Sequence, residues 1–251
     1  PFLEAFLHRK VEEGDSNRYL DLLWRFHEKN GDYWKAAKLL FSLGQRETEA
    51  FDTRRRVAYL SQAAMCAQSA VGCEKQLNSE AHEFLQEIRD KLDVAQVQLT
   101  TKDEISRLPR TSTTEHACME LEKRLYTVQE LFEEFAIPFS LPNIKLALCH
   151  CSGTYDKGVI EELCSEIVDQ ELTASQNDSV ESRVQRLGTK LAYYYKHYSS
   201  APKYFPLETI LCDLMNRGLR ESFPVSMLDT IGTLTRAPVS MLLDVLIICF
   251  R

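Results

Sequence analysis

The sequence predicts an all-α protein: an elongated, irregular α-helical solenoid of stacked antiparallel helix pairs, forming a single segment over residues 1–251. Three observations predict it. Apolar residues recur at three- and four-residue steps almost end to end, and no stretch alternates with the period of two that marks a half-buried strand. The chain holds only 9 glycines and 8 prolines, too few for a β-rich or disordered protein, and they punctuate the helical runs. Several helices carry apolar residues on more than one face. One stripe suffices for a surface helix, so a helix with two needs neighbours on two sides, as in the middle of a stack of helix pairs.

The elements follow in order. Residues 17–44, NRYLDLLWRFHEKNGDYWKAAKLLFSLG, read as two amphipathic helices joined by a tight Asn30-Gly31 turn. In the first, Leu20, Leu23, Trp24 and His27 form one stripe and Tyr19, Leu22 and Phe26 a second. In the next, Trp34, Ala37 and Phe41 form one stripe, and Tyr33, Ala36, Leu40 and Leu43 another. Gly14-Asp15, Asn30-Gly31 and Gly44 are expected to close helices as left-handed C-terminal caps. Arg54-Arg55-Arg56, the one dense basic cluster, reads as the solvated first turn of a helix.

From Asn78 to Leu108 nothing breaks the helix, and Leu85, Ile88, Leu92, Ala95 and Leu99 form its stripe. About 30 residues at 1.5 Å per residue give roughly 45 Å. Cys118, Leu121, Leu125, Val128, Phe132 and Phe135 step the same way, so the two stripes should pair as one long antiparallel hairpin near residues 78–135. Such a pair fits either a compact bundle or a stack whose adjacent layers it spans. A further helix runs from Ser179 to Tyr198, with Val180, Val184, Leu187, Leu191, Tyr194 and Tyr198 on its stripe. Pro142, Pro206, Pro224 and Pro238 sit where a first helical residue belongs. PVSMLDTIGTL (224–234) and PVSMLLDVLII (238–248) form a short internal echo.

The net charge of -7 argues against a nucleic-acid face built on bulk electrostatics. Eight cysteines are scattered without the clustered spacing of a disulfide framework, which fits a reducing compartment. No apolar run reaches the roughly 18 residues of a membrane span. The chain opens at Pro1 and stops after an apolar run, so both ends are expected to be cut from a longer protein.

No phosphate-binding glycine loop, H-E-x-x-H or G-x-S-x-G is present. Cys149-His150-Cys151 lies on an apolar helix, where consecutive side chains point about 100° apart and cannot converge on one ion or form a nucleophile–base pair. His27 reads as a hydrogen-bonded core or boundary residue, and Glu133-Glu134 and Glu161-Glu162 as solubilising pairs. No catalytic, metal-binding or cofactor-binding residue is assigned. The aromatic residues Tyr193, Tyr194, Tyr195, Tyr198, Tyr204 and Phe205 remain as partner-binding candidates, because a ring with a polar tip suits both an interface and the packing of a neighbouring helix.

PFLEAFL (1–7), the segment 17–44, KLALCHCSG (145–153) and APKYFPLETI (201–210) together resemble the C-terminal region of the large inner-ring scaffold nucleoporins, the one-fifty-five / one-seventy class of non-repetitive nucleoporins. The phrases are collinear along essentially the whole chain, and residues 45–80 and 99–115 depart most. The resemblance implies part of a long solenoid whose N-terminal β-propeller is absent here. It implies no enzymatic activity and no cofactor. The expected place is the nuclear pore complex at the nuclear envelope, within a large symmetric assembly that serves nucleocytoplasmic transport. The expected partners are other nucleoporins, especially flexible linker segments held in grooves between helices. Neither nucleic acid nor membrane contact is expected of this segment, since the family's membrane-contacting element lies in the propeller. The alternatives are a solenoid adaptor of a vesicle coat, a tetratricopeptide-like interaction protein, or an all-helical enzyme with a metal at Cys149, His150 and Cys151.

Overall fold

The structure, a computed structural model, describes residues 2–12, 16–48, 50–73, 78–221 and 226–249. Among these residues every regular element is helical. None of the helices is long and apolar enough to cross a membrane. The chain forms two compact units, Pro1–Ile144 and Lys145–Arg251.

The first unit holds α1 (Phe2–Glu12), α2 (Ser16–Lys29), α3 (Tyr33–Gln45), α4 (Thr53–Cys73), α5 (Asn78–Arg107), α6 (Ser112–Lys123) and α7 (Val128–Glu130), which a π-helical turn continues over Leu131–Ala136. Each helix from α1 to α6 packs on the next. The Asn30-Gly31 turn forms as expected: Gly31 has φ +80°, and the Asp32 amide donates to the His27 carbonyl at 2.9 Å. Its αL conformation would strain any residue with a Cβ. Leu20, Ala36, Ala37, Leu40 and Leu43 are buried in one cluster with residues of α4, and Leu23 is buried as well. The other stripe of α3 meets α5, with Trp34 and Phe41 each edge-on to Phe84 at 5.2 Å. The two-sided pattern of α3 therefore reports neighbours on two sides.

Gly44 differs from expectation. It lies inside α3 and is buried, where a Cβ would stand 3.0 Å from the Leu60 side chain of α4. Its role is a close helix approach, not a cap. Gly14-Asp15 and Pro224 lie outside the described residues. Pro142 opens its helix, while Pro206 and Pro238 each stand one residue before theirs and accept its first backbone bond.

The long helix α5 is present, but its returning arm is broken. α6 ends at Lys123, and Thr127 starts a new helix with a capping box: its hydroxyl accepts from the Glu130 amide, and the Glu130 carboxylate accepts from the Thr127 amide. Burial passes to Ala117, Leu121, Tyr126, Leu131 and Phe135, leaving Val128 and Phe132 half-buried. On α5 the buried positions after Ala95 are Gln98, Thr101 and Ile105, with Leu99 only half-buried. α5 packs on α4 near its start and on α6 near its end, so it spans successive pairs, as in a stack.

The break would strand the last carbonyls of α6, which have no intrahelical partners. Buried donors meet them. Gln98 Nε2 donates to the Leu121 and Arg124 carbonyls at 2.6 and 2.7 Å, and its Oε1 accepts from the Tyr126 amide at 2.9 Å. The Thr53 hydroxyl donates to the Leu121 carbonyl at 2.6 Å. Arg56 donates to the Lys123 carbonyl at 2.7 Å, to Thr48 O at 2.9 Å and to Arg46 O. The basic cluster is thus a first helical turn in which Arg54 and Arg55 are solvated but Arg56 is fully buried. Its donor fork fits three carbonyls at once, which no apolar residue can do. Burial pulls its pKa below the ordinary arginine value, opposed by Glu47 and Asp52.

The second unit holds most of α8 (Pro142–Ser152), then α9 (Lys157–Ala174), α10 (Val180–His197), a 3-10 turn at Pro202–Tyr204, α11 (Leu207–Glu221), α12 (Ser226–Thr235) and α13 (Val239–Cys249). Here α10 packs on α12 and α11 on α13, so the pairing interleaves. Glu171 of α9 pins α10, accepting from Arg186 and Lys190 at 3.2 and 3.0 Å.

Arg56→Met should lower the unfolding free energy by about 3 kcal/mol, because three partly buried carbonyls lose a charged donor, whereas Arg54→Met should change it by less than about 0.5 kcal/mol; urea titrations measure both. A second expectation concerns Glu130. Arg124, then the Thr127 cap, hold its carboxyl at about 2, below the ordinary 4.5. A depressed carboxyl stabilises the fold above its unfolded pKa and loses that contribution as pH falls through the folded one. Glu130→Gln should therefore be less stable than the parent at neutral pH, and the two should converge as pH drops from 4.5 toward 2.

Candidate functional site

A groove in the second unit lies between α9 and α11, with a volume of about 320 Å³. Glu161, Ser165 and Val168 recur at four and three residues on one face of α9; Pro206, Thr209, Ile210 and Asp213 do the same at α11, and Glu162 completes the rim. Val168 and Ile210 make an apolar floor, both buried. Helix starts set both walls. Asp156 caps α9 by accepting from the Val159 amide at 3.1 Å. Pro206, which has no N–H to lose, leads into α11.

The charge of the rim is acidic. Asp213 is paired with Arg217 at 2.7 Å, and Arg217 also reaches Asp169 and Ser165 Oγ. Glu161 faces Lys157 at 3.8 Å, a distant and solvated pair, and Glu162 has no ion pair among the described residues. A groove with an apolar floor, two hydroxyls and residual negative charge suits a short chain segment bearing an apolar side chain between Lys or Arg residues. Glu161 and Glu162, read from the sequence as a solubilising pair, stand on the rim of this groove. The signal in the sequence is the shared face of Glu161, Ser165 and Val168, visible only once Pro206–Asp213 supplies the opposite wall.

The structure divides the aromatic candidates. Tyr194, Tyr198, Tyr204 and Phe205 are at most 8% exposed and belong to the core of the second unit. Tyr194 and Tyr198 lie 5.4 and 6.3 Å from the Phe205 ring. Tyr204 is wedged edge-on between His150 at 5.0 Å and Tyr155 at 5.8 Å. These rings anchor the turn that ends in Pro206, so they support one end of the groove from beneath. Burial drives the Tyr198 hydroxyl well above the ordinary tyrosine value. Tyr193 is 64% exposed and stacks on His197 at 5.9 Å, while Tyr195 is half-buried. Three consecutive helical tyrosines must point three ways, so one meets solvent.

Cys149, His150 and Cys151 do not converge as a ligand set; the His150 ring packs edge-on against Tyr198 and Tyr204. Burial pushes the Cys164 thiol up to about 12 and Cys66 to about 11, and it also raises Cys149. Such thiols are packing groups, not nucleophiles.

Interleaved helix pairs, a groove of mixed polarity and buried, inert thiols define an interaction scaffold of the α-solenoid class. A family model described as the non-repetitive/WGA-negative nucleoporin C-terminal matches residues 1–251. The chain belongs to this nucleoporin family. It is 30% identical over 249 residues to the nuclear pore complex protein Nup154 of Drosophila melanogaster, covering 98% of this chain and 17% of that protein. It is 24% identical over 220 residues to a probable nucleoporin of Schizosaccharomyces pombe, covering 84% of this chain and 16% of that protein. The Nup170 C-terminal domain of Chaetomium thermophilum superposes with a TM-score of 0.81 at 18% identity, over 98% of this chain and 50% of that one. A complex of the same domain with Nup145N gives a TM-score of 0.80 at 16% identity, over 97% of this chain and 49% of that one. The chain thus spans about a sixth of the length of these curated relatives. The shared fold is an all-α solenoid.

Phe205→Ala should cost about 3–5 kcal/mol, because it empties a core site between two tyrosines, while Tyr193→Ala should stay within about 0.5 kcal/mol. Thermal or urea unfolding of the two variants separates the core ring from the surface ring.

Proposed function

We propose that this chain is a structural scaffold segment of the nuclear pore complex inner ring, at the nuclear envelope, and that it has no enzymatic activity. Residues 1–251 are read as one continuous stretch of a longer solenoid. The observation that carries the reading is the family match across the whole chain, joined to helices whose apolar faces serve neighbours on two sides. Its contribution to assembly and nucleocytoplasmic transport is to hold extended segments of other nucleoporins, as the Nup170 C-terminal domain is held in complex with Nup145N.

The α9–α11 groove is the receptor surface in this proposal, and the exposed ring of Tyr193 adds a contact from α10. The preferred ligand is a linker segment with an aliphatic or aromatic side chain for the Val168–Ile210 floor, flanked by Lys or Arg for Glu161 and Glu162. The acidic net charge supports a protein partner over nucleic acid. A vesicle-coat or tetratricopeptide-like adaptor is the reading the nucleoporin family match disfavours.

Calorimetric titration with fragments of flexible linker nucleoporins should give a micromolar complex. The double substitution Glu161→Lys, Glu162→Lys should weaken it about tenfold or more, with the effect shrinking at high salt. If no linker fragment binds at micromolar concentration, the peptide-receptor part is wrong and the scaffold docks only to folded subunits.

A further inference from the structure

α1 is lightly anchored. Leu7 is its one buried side chain among the described residues, and Phe2, Leu3 and Phe6 stay exposed. Where α1 meets α2, three ligand-bearing side chains come together. Glu4 and His8 stand four residues apart on one face of α1, and His27 reaches them from α2. One ligand atom from each lies within 4.8 Å of the others.

His27 is the unusual member. Expected as a hydrogen-bonded core or boundary residue, it is in the core at 1% exposure, but its Nδ1 is buried with no hydrogen-bond partner among the described residues. A buried ring nitrogen without a hydrogen bond calls for an explanation. Its Nε2 is 3.9 Å from Glu4 Oε1, and its Nδ1 is 3.5 Å from Asp32 Oδ2. Asp32 thus stands behind the ring without yet bonding it, and a small closure would give the usual support of a metal-bound histidine, in which a carboxylate fixes the tautomer and leaves the other nitrogen's lone pair free.

We propose that Glu4, His8 and His27 bind a divalent transition-metal ion, Zn²⁺ fitting best, with Asp32 as the carboxylate behind His27. Two imidazoles and one carboxylate match the nitrogen and oxygen donors zinc takes, with water as fourth ligand. Bonds of about 2.0–2.1 Å in a tetrahedron put donor atoms about 3.3 Å apart, so the group must close by roughly 1.5 Å. His8 is exposed and Glu4 half-exposed, which gives both the freedom to close and an entry path. Lys35 Nζ stands 3.7 Å from Glu4 Oε1 and 3.5 Å from Asp32 Oδ2; it is the competing cation, and at 58% exposure it can swing away. The ion would clamp α1 to α2, supplying the anchor that burial does not.

The test is titration of the 251-residue chain with Zn²⁺ near neutral pH by calorimetry, with Co²⁺ absorption reporting coordination. One ion per chain should bind in the micromolar range, and α1 amides should exchange more slowly with the ion present. Glu4→Gln and His8→Ala should each weaken binding about tenfold or more. Lys35→Met should tighten it, and Cys149→Ser with Cys151→Ser should leave it unchanged. Both ligand substitutions lie on the outer helix, so the folded chain survives them. No binding at about 100 µM ion overturns the proposal, since a site that weak would clamp nothing. So does binding that survives Glu4→Gln and His8→Ala, or that disappears with the two cysteines.

Discussion

The first unit depends on how the broken end of α6 is satisfied. A helix that stops inside a protein leaves carbonyls that must be met by something other than water. Arg56, Gln98 and Thr53 meet them, from α4 and α5. Each of these residues interrupts an otherwise apolar helix face, which makes the arrangement specific: a register shift on α4 or α5 would bury unpaired polar groups. The same contacts place Tyr126, whose ring packs edge-on to Phe135 at 5.1 Å and under the Arg124 guanidinium at 3.9 Å. The long hairpin seen in the sequence is thereby turned into three helices locked around one polar centre.

The second unit solves a different problem with aromatic rings. The chain must turn sharply between α10 and α11, and a short 3-10 turn carries it. Tyr204 and Phe205, at the end of that turn, enter the core, where Tyr194, Tyr198 and His150 receive them. The consequence is positional. Pro206 and the first turns of α11 are placed opposite α9, and buried Val168 and Ile210 form the floor of the groove between them. Binding surfaces benefit from such pre-ordering because less entropy is lost when a flexible ligand docks.

Internal packing and the proposed receptor surface draw on the same physics in this chain. A two-sided helix such as α3 spends both faces on neighbours. Others keep apolar side chains in solvent: α13 exposes Val239, Leu243, Ile247 and Ile248 while burying Val245. Periodicity reports that a face is apolar, not what covers it, so packing and docking faces look alike until the neighbours are placed.

The sequence by itself determined the helices, the Asn30-Gly31 turn, the length of α5 and the family, because helical period, turn chemistry and collinear phrases are local or linear properties. It also determined that Cys149, His150 and Cys151 cannot converge, since adjacent positions on a helix diverge. Tertiary structure alone decided the rest. Arg56 looked solvated because its burial depends on carbonyls 8, 10 and 67 residues away, and Gly44 looked like a cap because its constraint is Leu60 on another helix. Tyr193 and Tyr194 are neighbours in sequence, but one faces water and the other Phe205. Glu161 acquired an opposite wall, and His27 acquired Glu4 and His8, through packing between helices. A side chain's environment is set by residues distant in the chain, and no local pattern encodes it.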